Sequence, residues 1–190
     1  MDQLVSIPSG LYPQVLGSSW SELDAIVRQF HSEGEIVHAV GTFRIEHGSN
    51  RFSRFLAWMG RLPAAGEVVD LRLIVTPMRD GEEWRRSFAG RLLVSKQWRR
   101  PDGLLAEHMG LLELRFRIEV IDSSLHYHTQ RAALRLGPFC LPLLRWMAPC
   151  VTASEKPSDN GTIHVKVEAR LPLLGRLISY EGTVTRVPLT

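Results

Sequence analysis

Only two cysteines, Cys140 and Cys150, and only three lysines, Lys96, Lys156 and Lys166, occur among the 190 residues. Two thiols do not make a disulfide framework, which argues against a small cross-braced secreted scaffold and for free thiols. The start of the chain has no basic segment followed by an apolar stretch, so export is not expected and a cytoplasmic location is. No apolar run approaches the ~20 residues of a spanning helix. The least polar stretch, Leu136 to Leu144, falls far short of that, so no membrane span is expected. Also missing are a glycine-rich phosphate loop, CxxC pairs, HExxH and a Gly-x-Ser-x-Gly elbow. The commonest enzyme classes are disfavoured, and no metal or cofactor is expected.

Hydrophobic residues make up 44% of the chain and charged residues 23%, with a mean hydropathy of -0.05. This is the composition of one soluble globular domain spanning 1–190, which can bury roughly 70% of its unfolded surface. Basic residues number 23 against 20 acidic, a net charge of +3. The densest basic cluster is Lys96, Trp98, Arg99 and Arg100. So slight an excess does not make the concentrated patch that nucleic acid requires, and none is expected as a partner.

Pro8, Gly10, Pro13 and Gly17 punctuate residues 1–17, which read as an ordered arm. Trp20, Leu23, Ile26, Val27 and Phe30 recur at helical spacing and predict a helix over 20–32. A strand over 36–46 follows. A second helix is predicted from Asn50 through Phe52, Phe55, Leu56 and Met59 to Gly60. Beyond Gly66 the period changes from 3.6 to 2 and stays there. Leu112, Leu114, Phe116, Ile118 and Val120 alternate with Glu113, Arg115, Arg117 and Glu119, one face buried and one wet. About eight strands joined by short polar turns predict a mainly β fold, a lipocalin-like antiparallel barrel with two N-terminal helices. A curved sheet over helices, as in START-like lipid-binding domains, is the alternative; their long C-terminal helix has no counterpart, because 177–187 reads as strand. The segment Pro138 to Pro149 is too apolar for an ordinary loop. It reads as a short helix near 140–148 plugging one end, with a ligand portal, a membrane-surface contact or a docking face as the other readings.

If Trp84 and Phe88 face inward, period 2 carries Arg86 inward with them, and a buried guanidinium needs a carboxylate or a bound anion. Glu107, Glu155 and Glu181 are the candidate partners. Arg86 then serves either as half of an internal bridge that sets strand register or as the anchor for the polar head of an apolar ligand. His126 and His128 share a face, but no third metal ligand is evident, and they read as solvated strand residues.

Leu11-Tyr12 with Leu16-Gly17, Gly41-Thr42-Phe43, Leu62-Pro63 and Trp84-Arg85-Arg86-Ser87-Phe88 join Glu107-His108-Met109-Gly110, Glu155, Pro172-Leu173-Leu174-Gly175 and Tyr180-Glu181-Gly182. Together they resemble the bacterial family called domain of unknown function 4166, over about residues 11–185. Trp-Arg-Arg-x-Phe and Pro-Leu-Leu-Gly followed by Tyr-x-Gly are the most specific parts. The family's elements map onto Trp84, Arg86, Phe88, Glu107, Glu155 and Tyr180. Thr183 stands where the family tends to have an aromatic residue, so no role for that ring carries over. Some members follow a saccharopine-dehydrogenase-like domain, and the resemblance thereby implies a dehydrogenase-like protein partner. It implies no activity. The expected function is binding of a hydrophobic or lipid-like small molecule by Trp84, Arg86, Phe88, Glu107, Phe116, Glu155 and Tyr180. The alternative is an enzyme or accessory domain of such an oxidoreductase, using Glu107 or Glu155 beside Arg86.

Overall fold

A computed structural model describes residues 10–31, 35–51 and 62–188. The described chain is mostly strand: β1 Val37–His47, β2 Gly66–Met78, β3 Gly81–Phe88, β4 Arg91–Arg99, β5 Leu105–Met109, β6 Leu112–Ile121, β7 Ser124–Leu136, β8 Phe139–Pro142, β9 Cys150–Ser158, β10 Thr162–Leu171 and β11 Gly175–Val187. All pair antiparallel. β1 pairs with both β2 and β11, and β7 with both β6 and β9, so ten strands close into a barrel with β8 added outside on β7. Closure removes the unpaired edges an open sheet would leave and rules out the curved-sheet alternative.

The strand count exceeds the expected eight partly because β5 is only five residues long between turns and carries little pattern. The other addition corrects the reading of the apolar segment. Residues 140–148 form no plug helix. Phe139–Pro142 is a strand paired with β7, followed by a turn, and its residues are exposed. Pro142 cannot donate a backbone hydrogen bond, which a helix interior would need and an outermost strand does not.

Three short helical elements precede the barrel. α1 Leu11–Leu16 replaces the expected arm: Pro13 sits in its first turn, where a missing N–H costs nothing. The expected helix over 20–32 is divided into a 3-10 turn at Gly17–Glu22 and α2 Ala25–Phe30. The break falls at Asp24, whose side chain accepts from the Ile26 N–H at 2.8 Å as an N-cap. Its own backbone N–H donates to Ser123 in the β6–β7 turn, tying the helices to one end of the barrel. The helix predicted from Asn50 falls almost wholly on 52–61, outside the described residues.

Alternation decides what faces inward. Val37, Ala39, Phe43 and Ile45 on β1, Val69, Leu71, Leu73 and Val75 on β2, and Ile163, Ile178 and Val184 near the other side are buried. Leu23, Val27 and Phe30 join them from the helices. The seam between β1 and β11 needs glycine. A Cβ on Gly182 would lie 2.0 Å from the Thr42 carbonyl oxygen and 2.9 Å from the Phe43 ring, which lies across its Cα. Gly182→Ala is therefore expected to lower the melting temperature, at a cost of about 1–3 kcal/mol typical of overpacking. Calorimetry beside the exposed Thr185→Ala control measures it.

Candidate functional site

The barrel is hollow. A cavity of about 210 Å3 runs between β3 and β10, with walls that include Leu71, Leu73, Leu114, Val165, Val167 and Leu177. That exceeds the ~150 Å3 apolar void known to admit benzene-sized molecules. Phe88 and Tyr180 lie edge to face with centroids 5.7 Å apart, and Phe43 packs against both. Phe116 does the same with Tyr127 at 6.2 Å.

Two polar groups interrupt this apolar wall. On β3, Glu82, Trp84, Arg86 and Phe88 follow the period-2 rule into the interior. Arg86 sits with its guanidinium carbon 4.7 Å above the Trp84 ring centroid. Its Nη1 and Nη2 donate to Glu107 Oε1 at 3.1 and 3.2 Å, and Nη1 also donates to Ser95 Oγ at 2.8 Å. Ser95 in turn donates to the same carboxylate oxygen at 2.6 Å. Burial pulls the Arg86 pKa down, but Glu107, with Tyr180 and Tyr12 behind it, reverses the effect and leaves it raised. The pair is a fixed ion pair of zero net charge.

The second group is centred on Glu155 of β9. His31, at the end of α2, faces it with Nε2 2.6 Å from Oε2. The Tyr127 hydroxyl donates to Oε1 at 2.8 Å. Tyr12 of α1 donates to Gln97 at 2.9 Å, and its ring stacks 3.8 Å from that of His31. Nearby, Trp84 Nε1 donates to Glu82 at 3.0 Å. Burial alone would raise the Glu155 pKa; His31, Tyr127 and Arg86 outweigh it, and the carboxyl ends below its ordinary value. Desolvation raises Glu82, which His31 only partly counters. It also drives the Tyr12 and Tyr127 phenols well up, and Tyr180 up to about 12. At neutral pH the tyrosines are protonated donors and Glu155 is an ionised acceptor.

These shifts fix a pH dependence. Because its folded pKa is depressed, Glu155 stabilises the fold above the unfolded carboxylate value near ~4.3, and this is lost as pH falls through the folded pKa. Glu82, with a raised folded pKa, acts in the opposite sense and favours the folded state toward acid. Glu155→Gln is expected to flatten the acid limb of stability and Glu82→Gln to steepen it; urea unfolding from neutral pH to about pH 3 compares the two.

The family model described as a domain of unknown function, DUF4166, matches residues 23–184. The chain belongs to this family. No curated protein and no solved structure matches it. In this DUF4166 chain the match spans β1 to β10 and β11 as far as Val184, so it includes Arg86, Glu107 and Glu155.

All seven residues expected to line a site, Trp84, Arg86, Phe88, Glu107, Phe116, Glu155 and Tyr180, lie on the cavity wall of the DUF4166 barrel. Glu107 is the partner of Arg86. Glu155 is instead held by His31 and Tyr127. Glu181 is not a partner at all: it sits outside, bound to Lys166 and His164. Sequence reasoning did not single out Tyr12, His31, Glu82, Ser95, Gln97 or Tyr127 as site residues. For Glu82 the signal existed, since it is two residues before Trp84 on a strand whose inward parity was already set; on β4 no residue had been placed inside, so Ser95 and Gln97 had no such anchor. Tyr12 and His31 come from helices whose docking no periodicity reveals. His126 and His128 lie outside, and no group of three metal-ligating side chains occurs among the described residues. Glu113, expected on the wet face, is only 1% exposed because Arg100, Arg115 and Arg135 cover it.

Proposed function

We propose that this domain binds a small apolar molecule with an uncharged polar end, held inside the barrel with that end at Arg86 and Glu107. The observation that carries this reading is a hollow, apolar interior whose buried cation is already neutralised. A site for a bare carboxylate would leave the guanidinium free; here an acid would meet Glu107 as well. What remains unused suits a hydroxyl, ester or amide. The Arg86 Nε–H and the Glu107 Oε2 have no partner among the described residues, and neither does the Tyr180 hydroxyl. They offer donors and an acceptor on the wall of an apolar cavity, the usual arrangement of a few placed polar groups in a greasy pocket.

An enzymatic role for Glu107 or Glu155 has less support. Glu155 has both oxygens engaged, Oε2 by His31 and Oε1 by Tyr127, whereas a general base needs a free lone pair within reach of its substrate. Glu107 is committed through Oε1 to Arg86 and Ser95, and its Oε2 is the acceptor that the ligand's polar end uses in the binding reading. The test is mass spectrometry of organic extracts from protein purified without detergent. A neutral amphiphile should be recovered from the wild type and be lost from Ala153→Trp, in which the added indole occupies the cavity. Identical extracts from both proteins would contradict the proposal.

A further inference from the structure

The connections of an antiparallel ring alternate between its two ends. One end carries the β2–β3, β4–β5, β6–β7 and β9–β10 turns and is covered by α1 and α2. The other carries the β1–β2 connection, whose described residues Leu62 and Pro63 reach the cavity wall, the β3–β4, β5–β6 and β10–β11 turns, and the long excursion from β7 through β8 to β9. Exposed large apolar side chains gather at this second end: Leu92 near the start of β4, and Leu111 and Leu173 from the β5–β6 and β10–β11 turns. The excursion adds Phe139, Leu144 and Trp146, which are 69%, 61% and 55% exposed.

This excursion is continuous with the cavity. Leu134 is the cross-strand partner of Leu112, a cavity-wall residue, and Leu141 is the partner of Leu134. Cross-strand partners share a face, so the inner wall of the barrel runs out onto an apolar lip. Pro149, at the foot of the excursion, lines the cavity as well.

Charge distinguishes what could cover such a rim. No acidic residue occurs between Asp122 and Glu155, whereas Arg131, Arg135 and Arg145 do. Arg131 and Arg145 are exposed and have no carboxylate partner among the described residues, as is Arg91 at the start of β4. Two copies meeting through this surface would bring like charges together. Exposed Trp and Leu interleaved with unpaired arginines suit an interface that is apolar within and anionic at its surface.

We infer that this end of the barrel, through Leu144, Arg145 and Trp146, docks on an anionic lipid bilayer with the apolar lip facing the membrane. The apolar side chains enter the headgroup layer while the arginines meet lipid phosphates, the two contributions that govern interfacial binding. The inference goes beyond ligand binding in the barrel and stands on the rim alone.

Flotation with phosphatidylcholine vesicles, with and without phosphatidylglycerol, tests it. The wild type should float with the phosphatidylglycerol vesicles, and Leu144→Ser/Trp146→Ser should reduce the bound fraction at least about tenfold. Arg131→Gln/Arg145→Gln should lose the preference for phosphatidylglycerol. Both variants should keep the wild-type melting temperature and still bind N-phenyl-1-naphthylamine, a neutral apolar fluorophore, in free solution. Arg86→Leu/Glu107→Leu should float like the wild type, so a failed cavity and a failed docking surface are told apart. No flotation, flotation indifferent to the rim variants, or a dimer in solution that dissociates in Leu144→Ser/Trp146→Ser would overturn the inference.

Discussion

Arg86→Leu is expected to cost about 3–5 kcal/mol of folding stability, because it leaves the Glu107 carboxylate buried without its cation. The side chains of Arg86 and Glu107 are only 15% and 13% exposed. The remaining support for the carboxylate is a single hydroxyl, that of Ser95. The double variant Arg86→Leu/Glu107→Leu should recover most of this loss, since well-packed apolar side chains often replace a buried pair at no net cost. Urea titration of the wild type, both single variants and the double variant closes the cycle. Additive single and double losses would mean that the two groups do not depend on each other. Ligand affinity supplies the contrast: the double variant should fold yet bind a polar-ended ligand no better than a plain hydrocarbon. A residue pair that serves only strand register would show the stability cycle without that loss of discrimination.

Ala153→Trp is expected to weaken binding of N-phenyl-1-naphthylamine at least about 100-fold, the equivalent of ~2.8 kcal/mol. Ala153 lies on β9 between Tyr127 and Val167 in the sheet, and its side chain lines the cavity. An indole there takes up much of the 210 Å3 void. Filling a void restores contacts that its lining lacks, so the same variant should unfold at a higher temperature than the wild type. Loss of binding together with a lower melting temperature would instead point to a packed interior forced apart.

Most of the architecture is legible in the chain because a half-buried strand declares itself by strict alternation. Trp84, Arg86 and Phe88 illustrate how far that goes: three residues of one parity are placed inside, and a buried arginine demands a carboxylate. Glu107 was among three acids that satisfied this demand, and nothing in a one-dimensional pattern ranks a residue on β5 against one on β9 or β11. Register does so, by setting Gln97 opposite Glu107 and Trp84 opposite Ser95. Alternation also fails where a neighbour covers a nominally wet position, as the three arginines do over Glu113. It is silent wherever a short helix docks on the barrel, which is how His31 reaches Glu155 and Tyr12 reaches Gln97. The run from Pro138 to Pro149 misled in the other direction, since an apolar stretch bounded by prolines reads as a short helix until the pairing of Phe139–Pro142 with β7 is known.

The central claim is that the barrel interior accepts an apolar molecule with an uncharged polar end at Arg86 and Glu107. Displacement of bound N-phenyl-1-naphthylamine by 1-decanol and by decanoate, side by side at neutral pH, tests it most directly. The alcohol should displace the fluorophore at a concentration at least about tenfold lower than the carboxylate, a difference of ~1.4 kcal/mol. Stronger displacement by decanoate, or no saturable fluorophore binding to displace, would contradict it.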